Sequence, residues 1–255
     1  LKEIISVKNL IICSVDNLNV TIRRSDYDEF DSLIVDEGQD MFNFDDIDGL
    51  SNAVSGGIED GNWYIFHDFE NQTGLVGESS LEAYQYLQSN SIGEHALKSN
   101  CRNTANILDI IKSYLRVDMG ITGTGFGPDV RELETSKTDA AKQLLNVIDE
   151  LRKDGVSPES ITVLSPFSYS ESSVSQLPGS MLKKIIQLDE YSIKNPKQNG
   201  IGFSEIKNFK GLENDVVVLI DLPSPDEVGE DYDYSNHYVG MSRAKGLLVT
   251  VWCNL

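Results

Sequence analysis

The sequence predicts an α/β fold built on parallel β-sheet, and two observations lead to this prediction. Short apolar runs have the length and composition of strands that are buried on both faces, at residues 10–13, 32–35, 63–66, 161–164, 216–220 and 247–251. Amphipathic helical patterns lie between several of these runs. Because strands that alternate with helices form right-handed crossover units, we expect parallel sheets flanked by helices.

The helices are predicted from the spacing of their apolar residues. The clearest pattern places Ala141, Leu144, Leu145, Ile148 and Leu151 on one helical face. Two further helices are predicted around residues 81–87 and 107–115. Residues 120–128 carry four glycines and a proline and are predicted to form a linker or surface loop, and the acidic residues 223–235 a solvated loop.

Composition limits the class of protein. With 255 residues, of which 40% are hydrophobic, the chain can build one large domain or two small ones and is not a disordered acidic tail. No apolar run reaches the ~20 residues of a membrane span, and the first residues do not begin a signal peptide. Three cysteines without metal-ligand spacing favour a reducing, cytoplasmic location. The net charge of −20 argues against a large basic face for nucleic-acid phosphates.

The strongest local signal is the segment Ser-Leu-Ile-Val-Asp-Glu-Gly-Gln-Asp at residues 32–40. A short apolar strand there delivers two adjacent carboxylates, Asp36 and Glu37, to its carboxyl end, which is the edge where ligands bind in open α/β sheets. One carboxylate can hold Mg²⁺ through water, and the next can orient or deprotonate an attacking water. On these residues alone, a magnesium site and an acidic strand-to-loop turn are equally good interpretations.

Four further motifs follow in order along the chain. They are Trp-Tyr-Ile-Phe-His-Asp with a later amide (63–72), Asn-Cys-Arg (100–102), Lys-Gly-Leu-Glu (210–213) and Tyr-Val-Gly-Met-Ser-Arg-Ala (238–244). Together with the first segment, they resemble motifs II to VI of the superfamily 1 helicases, the UvrD/Rep-like group. The resemblance extends over residues 32–245, which is most of the chain.

The resemblance implies a RecA-like P-loop NTPase architecture in two lobes. Residues 1–92 would be a partial first lobe with motifs II and III, and residues 93–255 a complete second lobe with motifs IV, V and VI. The chain would be the C-terminal part of a helicase-like ATPase that couples ATP hydrolysis to translocation on, or unwinding of, nucleic acid. The implied cofactors are ATP and Mg²⁺. The implied partners are single-stranded nucleic acid, DNA in the first instance, and a fused or associated nuclease domain, without a membrane.

The resemblance also assigns roles to individual residues. Asp36 would coordinate Mg²⁺, and Glu37 would activate the hydrolytic water. Gln72 would sense the γ-phosphate, and Arg102 and Arg243 would contact it, since a guanidinium meets phosphate oxygens bidentately and stays charged. Without the motifs, a surface ion pair is the ordinary role of either arginine. The further ATP-binding residues would be Gln39, Asp68, Gly211 and Glu213, with Glu213 at the ribose, and the nucleic-acid-binding residues would be Lys207 and Lys210.

The largest departure from the family pattern is the missing P-loop, because no glycine of the chain is followed by lysine. We expect the P-loop to lie upstream of Leu1, so that this chain alone hydrolyses ATP poorly. The alternative is a relative that never had a P-loop.

Two smaller departures concern the sensor and the nucleic-acid contact. Gln72 follows Asp68 by four residues where three are usual, which makes Asn71 a rival for the sensor role. Glu205 and Lys207 stand where motif V commonly has Thr and His. The carboxylate of Glu205 puts the expected phosphate contact in doubt.

Two other functions stay open at this point. The missing P-loop and the acidity would suit a catalytically dead, helicase-derived module that binds proteins. The same motifs would also suit an ATP-dependent regulatory domain of a fused nuclease, since strand separation depends on elements outside them.

The acidity yields a prediction for the isolated 255 residues. We expect them to bind single strands weakly, because few cationic side chains are available to replace counterions on the phosphates. We also expect strong salt dependence, because salt competes with the phosphate contacts that do form. Fluorescence anisotropy with a labelled oligonucleotide at low and high salt measures both properties. Tight binding that salt does not weaken would contradict the prediction.

Overall fold

The computed structural model describes residues 10–25, 28–68, 80–188, 199–229 and 232–254, and the chain divides into two compact units, Leu1–His95 and Ala96–Leu255. The charge is divided unequally between them. The first unit has 4 Lys and Arg against 19 Asp and Glu, a net charge of −15, whereas the second has 17 against 22, a net charge of −5. The acidity of the protein is therefore mainly a property of the first unit.

The first unit is a small α/β layer. Its elements are helix α1 (Leu18–Arg24), strand β1 (Leu33–Val35), helix α2 (Phe44–Ser51), helix α3 (Gly57–Asp60), strand β2 (Trp63–Ile65) and helix α4 (Leu81–Asn90). The two strands pair in parallel, with Val35 opposite Ile65. Helices α2 and α4 begin where the side chains of Asn43 and Ser80 accept a hydrogen bond from a backbone N–H of the first turn.

The two faces of this strand pair differ. On one face, Val35 packs in a buried cluster with Phe42, Ile47 and Leu87. On the other face, the side chains alternate outward, and Ile34, Tyr64 and Phe66 are 69%, 62% and 54% exposed. Among the described residues, the first unit therefore presents one uncovered sheet face.

The second unit is built on a six-stranded sheet in the order β5-β10-β9-β6-β8-β7, in which every neighbouring pair is parallel. The strands are β5 (Arg131–Ser136), β6 (Ile161–Ser165), β7 (Ile185–Gln187), β8 (Ile201–Glu205), β9 (Asn214–Leu222) and β10 (Ala244–Asn254). A separate parallel pair joins β3 (Ser99–Asn100) and β4 (Ile121–Thr122). The helices are α5 (Ala105–Leu115), α6 (Ala140–Lys153), α7 (Gly179–Leu182) and α8 (Ser235–Ser242).

Helices cover both faces of the large sheet. Helix α6 buries its apolar stripe, including Leu144 and Ile148, in one cluster with Val218 of β9. The next residue of β9, Leu219, points to the opposite face, where α8 crosses closely at Gly240. A Cβ atom at position 240 would lie only 2.6 Å from Leu219 Cδ1, so a larger residue there would require the Leu219 side chain to shift.

The predicted fold class, an α/β fold with parallel sheets flanked by helices, is confirmed. Five of the predicted strands and the three predicted helices are present, with their ends shifted by one to three residues in most cases. The glycine-rich stretch 120–128 is a loop except for β4. In the acidic stretch, Asp226 and Glu227 are exposed as predicted, whereas Pro223 and Pro225 are buried. No helix within the described ranges is long and apolar enough to cross a bilayer.

The predicted strand at residues 10–13 is wrong. This segment has no strand partner among the described residues, and Ile11, Ile12 and Cys13 are exposed. A 3₁₀ turn (Val15–Asn17) and helix α1 follow at once. The apolar run shows that the segment could be buried, but a strand also needs a neighbouring strand, and sequence periodicity does not report one.

A buried histidine, His237 of α8, lies among aromatic rings. Its ring stacks on Trp252, with ring centroids 5.5 Å apart, and Tyr232 and Tyr234 meet it edge-on. Its Nε2 lies 2.9 Å from the carbonyl oxygen of Pro223, so this nitrogen carries the proton of the neutral ring. Burial lowers the pKa of His237, although the Pro223 hydrogen bond and the nearby Asp233 carboxylate oppose the shift.

We expect this histidine to make the protein less stable at acidic pH. Above about pH 6.5, the pKa of histidine in an unfolded chain, His237 is neutral in both the folded and the unfolded protein. Below that pH, the unfolded protein binds a proton at this residue, whereas the folded protein, in which the pKa is lower, stays neutral over a wider range. The free energy of unfolding should therefore fall as the pH decreases from 7.5 to 5.5, by at most about 1.4 kcal/mol per pH unit from this group. Urea unfolding of the wild type and of His237→Gln measures the effect. An equal pH dependence in both proteins would contradict the prediction.

Candidate functional site

The candidate site of the first unit is the loop that follows β1. Asp36 is exposed directly after the strand, and its Oδ1 accepts a hydrogen bond from the backbone N–H of Glu37 at 3.0 Å. Glu37 has φ 55°, in the left-handed region that non-glycine residues rarely adopt. The chain thus turns sharply at the second carboxylate, so that the two acids leave the strand in different directions.

Gly38 fixes this turn against the neighbouring strand. Its backbone N–H donates to the carbonyl oxygen of Phe66 at 2.8 Å. A Cβ atom at this position would lie 2.2 Å from Ile65 Cγ2, so no side chain fits there. The loop after β1 is therefore held against the end of β2.

Gln39 completes the arrangement from a buried position. Its Nε2 donates to Glu37 Oε2 at 2.7 Å, and its Oε1 accepts from the backbone N–H of Asp68 at 3.0 Å. The structure thus brings together four sequence-predicted residues, Asp36, Glu37, Gln39 and Asp68, at the carboxyl ends of β1 and β2. The predicted sensor, Gln72, and its rival Asn71 lie outside the described residues.

The acids of the loop after β1 suit a metal site in which the protein supplies only one or two carboxylates. Within the described ranges, no group of three or more His, Cys, Asp or Glu side chains is placed to hold a metal ion. Mg²⁺ does not need such a cage, since it usually takes one or two carboxylates and completes its shell with water and phosphate oxygens. The exposed Asp36 suits that mode of binding.

In the second unit, two sequence-predicted residues pair with each other. Arg102 Nε lies 2.7 Å from Glu213 Oε2, and the two side chains are 35% and 43% exposed. The residues are 111 positions apart in the chain. An ion pair of this exposure contributes only about 0–1 kcal/mol, so the guanidinium can exchange its partner at low cost.

Arg243 lies in a different environment and is only 3% exposed. Its Nε donates to the carbonyl oxygen of Val239 at 3.1 Å, and its Nη2 donates to Ser242 Oγ at 2.9 Å. Its own carbonyl oxygen accepts the backbone N–H of Asn214, the neighbour of Glu213, at 3.2 Å. The predicted second arginine is thus held inside the turn between α8 and β10.

Asn103, which no sequence motif singles out, connects the segments that carry these two arginines. Its fully buried Nδ2 donates to the carbonyl oxygens of Ser242 and Ala244, at 2.9 and 2.7 Å. These carbonyls flank Arg243, while Asn103 itself follows Arg102. No local signal marks the residue, because its partners lie 139 and 141 positions away.

The predicted nucleic-acid-binding residues lie on the connection between β8 and β9. Lys207 is on a 3₁₀ turn (Ile206–Phe209), and its Nζ lies 2.9 Å from Glu205 Oε2. Glu205, the residue that departs from the family pattern, therefore neutralises the neighbouring lysine. Lys210 is half-buried, and Gly211 has φ 76°, which explains a glycine at that position.

The parallel topology separates the predicted residues of the second unit. Glu213 and Arg243 precede β9 and β10, so they lie at the amino edge of the sheet, and Arg102 joins them there through its ion pair. Glu205 and Lys207 lie at the end of β8, the carboxyl edge. Lys207 is thus on the opposite edge from Glu213 and Arg243, whereas Lys210 and Gly211 lie on the connection that leads from one edge to the other.

No protein-family model matches the sequence, and no curated protein matches it. Among solved structures, the C-terminal domain of a possible DNA helicase from Lactobacillus plantarum WCFS1 has a TM-score of 0.45 at 18% identity, over 60% of this chain and 88% of that one. Arterivirus nonstructural protein 10, a helicase, has a TM-score of 0.42 at 14% identity, over 93% of this chain and 50% of that one. Its complex with DNA has a TM-score of 0.44 at 16% identity, over 86% and 39%. This chain thus spans half or less of the arterivirus chains, and at these identities the likeness concerns the fold alone.

The role of Gln39 gives a prediction for the first unit. Replacing it by Met keeps the length of the side chain but removes one hydrogen bond to Glu37 and one to Asp68. We expect Gln39→Met to lower the free energy of unfolding by about 1–3 kcal/mol, because buried polar groups lose partners. Urea unfolding measures the loss. The matched control is Gln85→Met on the exposed face of α4, which should change the free energy of unfolding by no more than about 0.5 kcal/mol. Equal losses of unfolding free energy in both variants would contradict the role of Gln39.

Proposed function

We propose that this chain is the motif II to motif VI part of a superfamily 1 helicase-like ATPase that moves on single-stranded nucleic acid, with DNA as the first candidate. The observation that carries the proposal is the convergence of Arg102, Glu213 and Arg243 at one edge of the second sheet. These residues come from three segments spread over more than a hundred positions, and each was singled out by its motif alone. Three residues without a common function have no reason to lie together in this way.

The proposal gives the carboxylates of the first unit distinct roles. Asp36 would hold Mg²⁺, which supplies charge neutralisation for the phosphates of ATP. Glu37 would take a proton from the attacking water, and Gln39 would hold the Glu37 carboxylate in place through its 2.7 Å hydrogen bond. The left-handed backbone at Glu37 supports this assignment, because strain of this kind is concentrated at functional sites.

The arginines of the second unit would stabilise charge on the transferred phosphoryl group. Arg102 would leave the exposed carboxylate of Glu213 for a phosphate oxygen, and Glu213 would then be available to the ribose. Arg243 is buried, so its guanidinium would have to leave its contacts with Val239 and Ser242 to reach the same phosphate. A phosphate-binding loop would come from outside these 255 residues, since the sequence contains no Gly-Lys pair.

The nucleic acid would bind near Lys207, at the carboxyl edge of the second sheet, and along the connection to β9 that carries Lys210. The second unit is the better candidate for this contact because its net charge is −5, against −15 for the first unit. The ion pair between Lys207 and Glu205 limits the electrostatic contribution. Binding would then combine base stacking with the few phosphate contacts that these lysines make.

The test of the proposal measures ATP hydrolysis stimulated by single strands in the full-length protein. Glu37→Gln should lower kcat about 100-fold or more while ATP still binds, because the general base is lost and the phosphate contacts remain. Arg102→Lys should also lower kcat, since lysine cannot make the bidentate contact. The matched control is Arg131→Lys, because Arg131 forms a comparable surface ion pair with Asp154 at 3.1 Å in the same unit.

The control variant should hydrolyse ATP like the wild type. Undiminished hydrolysis by Glu37→Gln or by Arg243→Ala would show that the assignment is wrong. An associated nuclease, which the resemblance also implies, remains a prediction that this experiment does not address.

A second candidate function, a protein-binding module without catalysis, is favoured by one specific observation. Ile34, Tyr64 and Phe66 form an exposed apolar face in a unit of charge −15, a combination that suits a basic protein partner. Calorimetry separates the two candidates. ATP binding by the full-length protein that depends on Arg102 would exclude the module, and the absence of any nucleotide binding would support it.

A further inference from the structure

We propose that Asn103 is a positioning residue that holds Arg102 and Arg243 in one fixed relation. The proposal rests on the proposed function, since that function gives both arginines a common phosphate group to bind. Asn103 itself touches no phosphate in this scheme. Its amide binds the backbone carbonyl oxygens on both sides of Arg243, and Asn103 itself is the next residue after Arg102.

The chemistry of an asparagine amide suits this position. The Nδ2 atom carries two hydrogens on one neutral nitrogen, and each hydrogen meets one carbonyl oxygen, of Ser242 or of Ala244. Aspartate has the same shape but offers no donor, and leucine would leave both carbonyls with one hydrogen bond fewer in a buried place. An asparagine is therefore required for the contact.

The orientation of this amide is also fixed. Asn103 Oδ1 accepts from Asn100 Nδ2 at 3.0 Å, which leaves Nδ2 directed at the two carbonyls. Asn100 Oδ1 in turn accepts the backbone N–H groups of Arg102 and Asn103, at 2.9 and 2.8 Å. Hydrogen bonds thus connect the short segment that carries Arg102 to the amide that binds the turn at Arg243.

A second connection closes a ring of contacts. Arg102 pairs with Glu213, and Asn214, the next residue, donates its backbone N–H to the carbonyl oxygen of Arg243. The ion pair in this connection is exposed and must open when Arg102 takes a phosphate oxygen. At that moment, the buried Asn103 amide still links the Arg102 segment to the carbonyl oxygens on both sides of Arg243.

The test compares two asparagines that follow Arg102. Asn103→Asp removes both donors with little change of shape. Asn106→Asp makes the same chemical change on helix α5, where the amide donates instead to the Gly127 carbonyl and to Asp129 Oδ1. The control therefore carries the added negative charge without affecting the Arg243 turn.

The first measurement does not depend on nucleotide. A spin label on the exposed Cys101, next to Arg102, reports the mobility of this segment in a Cys13→Ser background, because Cys253 is buried. Asn103→Asp should make the label clearly more mobile, and Asn106→Asp should not. Equal label mobility in the wild type and in folded Asn103→Asp would overturn the proposal.

The second measurement is the Kd of a fluorescent ATP analogue with Mg²⁺ on the full-length protein. Asn103→Asp should raise Kd about tenfold, in line with the loss of hydrogen bonds that hold the site. Arg102→Ala should then weaken binding by a smaller factor in the Asn103→Asp background than in the wild type, since the two changes act on one unit. A purely structural role would give independent, multiplicative effects.

The outcomes separate the two proposals. A wild-type protein that binds no nucleotide overturns the proposed function, whatever the label shows. Nucleotide binding that Asn103→Asp leaves unchanged overturns the positioning role while the proposed function stands. If Asn103→Asp does not fold, Asn100→Asp tests the same contact, and Asn100 is only half-buried. This change places an oxygen against Asn103 Oδ1, so it disfavours the amide orientation that the contact requires. Unchanged label mobility and Kd in that variant would also overturn the proposal.

Discussion

The parallel pairing of the strands is the constraint on which the rest of the structure depends. Parallel strands need long crossover connections and buried faces, so polar residues with chemical roles are displaced to the ends of the strands. In the first unit, Asp36 follows β1 directly and Asp68 lies three residues beyond the end of β2. In the second unit, Glu213 and Arg243 precede β9 and β10. The positions of the candidate sites are therefore set by the ends of the buried strands.

Buried amides then determine how these strand ends are joined. Gln39 connects the loop after β1 with the end of β2, and Asn103 connects the Arg102 segment with the turn at Arg243. In both cases a neutral side chain with donors and an acceptor satisfies backbone groups that would otherwise be buried with fewer partners. Such contacts fix the geometry of the neighbouring charged residues without adding charge.

The electrostatics of the two units differ in a way that the total charge conceals. The first unit carries most of the negative charge, and its acids include those suited to Mg²⁺. The second unit has a net charge of only −5, and it contains the two candidate arginines as well as the two candidate lysines. The net charge of −20 thus argues against a basic groove on the first unit far more than on the second.

The sequence by itself determined the α/β class, because buried parallel strands and amphipathic helices leave clear periodic patterns, as in the helix of Leu144 and Ile148. It also singled out Asp36, Glu37, Arg102, Glu213 and Arg243 as candidates, since motif order is a property of the chain alone. It failed at residues 10–13, where an apolar run has no strand to pair with. Only the tertiary structure revealed the pairing of Arg102 with Glu213, the burial of Arg243 and the contacts of Asn103. The physical reason is that the contacts of Arg102 and Asn103 join residues more than a hundred positions apart, and hydrogen bonds of that range leave no trace in local sequence spacing.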